Sequence, residues 1–397
     1  MKIGSIIWYT TIFLALSFFA FTLVFESMLS RRIVDVPSIY KKSIDAAESP
    51  QDIGECLKKE KIEGLESAVD PHLQKLSEYQ DVCNSFVTER LMIFTDMPKD
   101  NIIAAQSAKK MAQTLKEFSQ FKVTPIVIIE PVTEWGLIDF KEFGTGFYDT
   151  WINTYFSTLK SEGVTDEQMG IWVPFPEANL PYWNHGNADP QDFSSLVNRY
   201  LHGMKKQFPE AQASILLNSA TYDKDDFDWE NGEYASLIPY VAGIEKGLVN
   251  SFGIQGFSWT PPADSSRAGI FDAREYLNAR LAMEAADQLG VKEIWFNTGS
   301  FSSKYTLDEK ITVTITPNKR KDILNGILNE VDTAKSKGYN VWINVFAEDK
   351  SNSTEATDWS YWKNPNDREN PHRSVFRDFI VKANEMQLPI SLFDIEH

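Results

Sequence analysis

The sequence predicts an α/β protein whose body is a (β/α)8 TIM barrel, preceded by an N-terminal transmembrane helix and a short helical stalk. Three observations carry this. From about residue 90, short runs rich in Ile, Val, Phe and Trp alternate with amphipathic helical patterns, the rhythm of βα units on a parallel sheet. Eight such runs fit a barrel domain with long loops. Ahead of them, the run 5–25 contains no charged residue, and about 20 apolar residues span a bilayer as a helix.

Residues 1–30 read as an uncleaved signal-anchor, because a secretory h-region is only about 7–15 residues long, with a cleaved signal as the alternative. Its orientation stays open, since Lys2 lies on one side and Arg31 and Arg32 on the other. Residues 31–85 form the stalk, rich in Lys, Glu and Asp. Leu65, Val69, Leu73 and Leu76 fall there at helical spacing, interrupted by Pro71. Both cysteines, Cys56 and Cys83, lie in this segment. An even count in one short segment points to a disulfide and an oxidising compartment, with two unpaired thiols as the alternative. The chain is thus expected to be membrane-anchored and extracytoplasmic.

Residues 86–397 supply the barrel. Strands are expected at Leu91–Thr95, Thr124–Ile129, Gly170–Phe175, Ala213–Asn218, Gly253–Trp259, Glu293–Asn297, Asn340–Phe346 and Ile390–Asp394. Between them, Ala104, Ala105, Ala108, Met111, Ala112, Leu115 and Phe118 make one apolar stripe. Phe193 to Met204 makes another, with Asp189 as N-cap and Pro190 in the first turn. A third, Ile323 to Val331, is closed by Gly338. A doubly wound sheet is the competing architecture, but Thr95-Asp96-Met97-Pro98 stands where a dinucleotide-binding glycine turn would follow the first strand.

The formal net charge of −17 argues against a nucleic-acid partner, which needs clustered Lys and Arg. Five scattered His and two Cys give no metal-ligand spacing. No Walker loop, Rossmann fingerprint or Gly-x-Ser-x-Gly elbow occurs, so no cofactor and no metal are expected. Aromatics are abundant, with 26 Phe, 14 Tyr and 11 Trp.

Active sites of such barrels form at the carboxyl ends of the strands. The residues there are Asp96, Glu130, Trp135, Glu177, Asn179, Trp183, Asn218, Trp259, Asn297, Glu348 and Asp394. Carboxylates and amides grip hydroxyls and indoles stack on sugar rings, so the set suits an oligo- or polysaccharide.

The stretch from Gly170 to His185 reads GIWVPFPEANLPYWNH. It resembles the acid/base strand of glycoside hydrolase family 26, within the large clan of barrel glycosidases that includes endo-mannanases. Its Arg-Pro-Phe-His-Glu-Met-Asn pattern is matched at Pro174, Phe175, Glu177 and Asn179, with Trp183 following. Pro176 replaces the His and Val173 the Arg. Thr124–Pro131, Ala213–Asn218, Phe252–Phe257 and Glu293–Gly299 resemble the family's third, fifth, sixth and seventh strands. In that register Leu91–Thr95 is the second strand. Ile390–Asp394 then takes the place of the first, unless another strand precedes residue 90.

The resemblance implies that Glu177 is the general acid/base; Asn179, Trp183, Trp135, Trp259 and Asn218 are the rim residues expected to contact substrate. It also implies a nucleophilic Glu where this chain has Asn297. A retaining glycosidase needs two carboxyl groups about 5–5.5 Å apart, and an amide supplies no negative charge. Three readings follow. One is a glycosidase acting on a β-mannan or β-glucan type polysaccharide, with Glu130, Asp96, Glu348 or Asp394 as the second carboxylate. Another is a barrel that binds such a glycan without cleaving it. The third is a scaffold domain of a membrane complex, with aromatic loops such as Asp358-Trp359-Ser360-Tyr361-Trp362 as the interface.

Overall fold

Eight parallel strands close into a ring: β1 (Arg90–Asp96), β2 (Thr124–Glu130), β3 (Ile171–Pro174), β4 (Gln212–Asn218), β5 (Ser251–Phe257), β6 (Glu293–Gly299), β7 (Asn340–Phe346) and β8 (Ile390–Phe393). In the computed structural model the described residues are 62–79, 89–96, 100–133, 136–179, 189–219, 236–257, 277–300, 305–307, 311–313, 315–347, 349–350, 357–358, 361 and 371–393. All of them fall in one compact unit, Gly54–Trp259 with Ile270–His397. The strands follow one another around the ring in chain order. β8 closes it, pairing Ile390 with Ile343 of β7 and Leu392 with Leu91 of β1. Among the described residues no strand before residue 90 enters the ring.

Among the described residues the helices are α1 (Pro71–Tyr79), α2 (Asn101–Gln120), α3 (Phe140–Gly144), α4 (Asp149–Ser161), α5 (Pro190–Gln207), α6 (Ile238–Val241), α7 (Ala279–Leu289), α8 (Pro317–Ser336) and α9 (Pro371–Glu385). The three predicted apolar stripes fall in α2, α5 and α8. Asp189 caps α5 by accepting from Gln191 N at 2.7 Å, with Pro190 at the first position. Gly338, at φ 86, follows the last turn of α8 as expected.

Strand alternation sorts the side chains. Ile215, Leu217, Phe252, Ile254, Ile294, Phe296, Ile343 and Val345 are buried on the face toward the helices. The residues between them point into the lumen, which is packed rather than open. Trp295 and Trp342 stack there with ring centroids 4.7 Å apart and planes 1° from parallel. Trp295 Nε1 donates to Ser214 Oγ at 2.7 Å, and Trp342 Nε1 to Glu293 Oε1 at 2.8 Å. Gly253 makes room, since a Cβ there would lie 2.3 Å from Trp295 Cε2.

Within the segment read as a stalk, Pro71 starts a helix rather than merely interrupting one. Asp70 accepts from His72 N at 2.9 Å, and Leu73 and Leu76 are buried. Val69, expected on the same stripe, is 84% exposed because the helix begins only after it. The Glu117 carboxylate of α2 accepts from Val69 N at 2.5 Å and Asp70 N at 3.1 Å, tying the segment to the barrel. The expected membrane anchor, Cys56 and Cys83 lie outside the described residues. Among the described residues no helix is long and apolar enough to cross a membrane.

Candidate functional site

Glu177 reaches the rim through an unusual backbone. Phe175 N donates to Ile129 O at 2.8 Å, continuing the pairing of β3 with β2 for one residue. Phe175 and Glu177 then both adopt positive φ, 53° and 56°, on either side of Pro176. Few non-glycine residues do this, and each such residue costs of order 1–3 kcal/mol. Alternation alone would send Phe175 into the lumen. Its left-handed backbone instead places the ring edge-on to Phe140 and Tyr200 in the helix layer, at 6.0 and 5.5 Å. Glu177 N donates to Leu216 O of β4 at 2.9 Å, so the strained turn is docked on the next strand.

Glu177 is 9% exposed, and its carboxylate accepts from Asn218 Nδ2 at 2.7 Å. Asn179 holds the other side of this arrangement. Its Nδ2 donates to Asn218 O at 2.7 Å and its Oδ1 accepts from Asn218 N at 2.9 Å, as a neighbouring strand would. The structure therefore brings together Glu177, Asn179 and Asn218, three residues that the sequence singles out.

Asn297 belongs to a different arrangement. Asn218, Gln255, Asn297, Asn344 and Ser391 are successive Cα partners across β4 to β8. Asn297 Nδ2 donates to Gln255 Oε1 at 2.6 Å, and Asn344 Nδ2 donates to Asn297 Oδ1 at 2.6 Å. Ser391 Oγ donates to Asn344 Oδ1 at 2.5 Å. This row of uncharged polar side chains crosses the lumen one layer above the tryptophan stack. Phe257 and Phe346 meet above it at 5.3 Å, over Gly299, which has no side chain to separate them. Asn297 is left only 3% exposed.

Glu130 ends β2 as the Cα partner of Asp96, half-buried on the strand beside β3. The side chain of Asp96 lies outside the described residues, as do Trp135, Trp183, Trp259, Glu348 and Asp394 entirely. Tyr361 from the Trp-rich loop is no exposed platform: it is 1% exposed, with the Arg320 guanidinium 3.4 Å from its ring centre. Asn344 and Ser391 do not stand out in the sequence. Their signal is a single uncharged polar residue inside an apolar strand, at the place where Asn297 stands in its own strand.

Chemically, the cluster offers one anchored carboxylate able to hydrogen-bond a hydroxyl or exchange a proton. Beside it stands a fixed set of amide donors and acceptors. The position across the lumen carries no charge.

No protein-family model and no curated protein matches the sequence. Among solved structures, a family 1 β-glucosidase from Thermotoga maritima aligns with 77% of this chain and 86% of its own, at 11% identity and a TM-score of 0.48. A fungal β-1,4-galactanase aligns with 72% of this chain and 100% of its own, at 10% identity and a TM-score of 0.44. The β-glycosidase BGL167 aligns with 81% and 88%, at 12% identity and a TM-score of 0.48.

Proposed function

We propose that the chain is a glycoside-hydrolase-like barrel that binds a neutral β-linked polysaccharide, of β-mannan or β-glucan type, without hydrolysing it by a retaining mechanism. The observation that carries this reading is the neutral row through Asn297. In the register of family 26 that side chain would attack the anomeric carbon. Here it is an amide committed on both sides to other uncharged groups. An oxocarbenium-like transition state needs a carboxylate opposite the acid, and an amide dipole falls well short of that stabilisation. Glu177, held by Asn218, remains suited to gripping sugar hydroxyls.

A second reading is supported by Glu130, whose strand adjoins that of Glu177. An inverting glycosidase places its two carboxyl groups about 6.5–9.5 Å apart with a water between. In that case Glu177 is the acid and Glu130 the base.

The apolar run 5–25 would tether the barrel to a membrane, with the glycan met on the extracytoplasmic side. Retention of the full-length chain on immobilised β-mannan or β-glucan tests the binding claim. We expect retention that falls at least tenfold in Glu177→Gln. Equal passage of both through every glycan column would overturn the claim and leave the scaffold reading in its place.

A further inference from the structure

The neutral row is sealed at one end and open at the other. Ser391 and Asn344 are fully buried, and Asn297 lies beneath the contact between Phe257 and Phe346. Gln255 is 9% exposed, as much as Glu177. The row therefore opens beside Asn218, the Cα partner of Gln255, whose side-chain amide holds the Glu177 carboxylate.

The direction of the row decides which atom it presents there. Asn344 Nδ2 lies 3.9 Å from Met92 Sδ, and a thioether can only accept. That contact turns the nitrogen of Asn344 toward Met92 and Asn297, so Asn297 offers its oxygen to Asn344 and its nitrogen to Gln255. Gln255 accepts through Oε1, which leaves its Nε2 as the open end of the row. Among the described residues Gln255 Nε2 meets no acceptor, and it is not fully enclosed. Ser391, Asn344 and Asn297 all donate in the same sense, from β8 toward β5, an arrangement in which each bond polarises the next.

Glu177 and Gln255 are thus complementary groups flanking Asn218: a carboxylate that accepts and an amide that donates. Neighbouring strands lie about 4.8 Å apart, a span that two adjacent hydroxyls on one sugar ring can bridge. We propose that Gln255 is a ligand-contacting, specificity-determining residue of the rim, and that the group recognised is a vicinal diol of a neutral pyranose. One hydroxyl donates to Glu177 and its neighbour accepts from Gln255 Nε2. The ring sits over β3 to β5, beside the aromatic cover of Asn297 rather than in its place. The inference rests on the carbohydrate-binding reading above and adds the group that is recognised.

Calorimetric titration of the full-length chain with mannotetraose and cellotetraose at pH 8 tests it. We expect the wild type to bind at least one of them. Gln255→Met removes the donor. Gln255→Glu also removes it when ionised, but keeps an acceptor for Asn297 Nδ2. Each should weaken binding about fivefold or more. Asn344→Ala breaks the row at its buried end, leaves the Gln255 donor in place and should leave the affinity close to that of the wild type. Denaturation midpoints establish that each variant is folded, and should Gln255→Met fail to fold, Gln255→Glu decides. Wild-type binding that the Gln255 substitutions leave unchanged, or that Asn344→Ala weakens as much as they do, overturns the Gln255 assignment and leaves the rim reading intact. Failure of the wild type to bind either tetrasaccharide overturns both.

Discussion

Asn218 is the residue through which the rim is organised. Its side chain donates to Glu177, and its backbone N–H and C=O are both matched by the Asn179 amide. Asn179→Ala removes two hydrogen bonds at once and leaves the strand end of β4 unmatched. We expect a loss of about 1–3 kcal/mol in chemical denaturation, together with weaker glycan retention as the Glu177 turn loosens. Asn297→Asp tests the neutral row. The substitution replaces the donor to Gln255 Oε1 with a carboxylate oxygen facing it. A stability loss of about 1–3 kcal/mol is expected, and an unchanged midpoint would contradict the row as described. At this scale the sequence was partly legible. Glu177, Asn179 and Asn218 stood out because carboxylates and amides at strand ends are uncommon in a structural core. Asn344 and Ser391 did not, because a lone amide or hydroxyl within an apolar run looks like a minor lapse in alternation until its neighbours are known.

At the level of elements, the lumen sets limits that the helices do not. Gly253 faces Trp295, which is itself sandwiched against Trp342 and bonded to Ser214. Gly253→Ala forces this stack to shift. We expect about 1–3 kcal/mol of destabilisation, read as a lower Tm. The same substitution at Gly247, where nothing lies within 4 Å but φ is 88°, should cost less and only through the backbone. Elements were legible wherever capping chemistry and periodicity agreed, as at Asp189-Pro190 and Gly338. Where a backbone departs from its local rule, the pattern misleads. Alternation would turn Phe175 inward, and helical spacing would bury Val69. In the first case a left-handed residue redirects the ring, and in the second Pro71 delays the helix.

The barrel holds together as a ring whose last strand bonds to its first. That closure was readable from eight βα-like units, because a parallel barrel leaves no edge to guess. The pH dependence of stability belongs to this scale as well. On α9, burial and the nearby Arg320 charge push His372 down from 6.5 to about 4. The unfolded chain takes up a proton at this site below about pH 6.5, which the folded chain does not until about pH 4. Its contribution is therefore complete above the upper value and declines as pH falls through the window, at up to about 1.4 kcal/mol per pH unit. Denaturation midpoints measured between those limits should show this slope, and His372→Asn should flatten it. A slope that survives the substitution would assign it to another group.

The central claim is that this barrel grips a glycan while lacking the second charge of a retaining hydrolase. The most direct test is reducing-sugar release from β-mannan and β-glucan by the full-length chain, measured beside Glu177→Gln. No release above the Glu177→Gln baseline is expected, despite retention of the wild type on one of these glycans. Release by the wild type that the substitution abolishes would contradict it and make Glu177 catalytic, with Glu130 the first base to test.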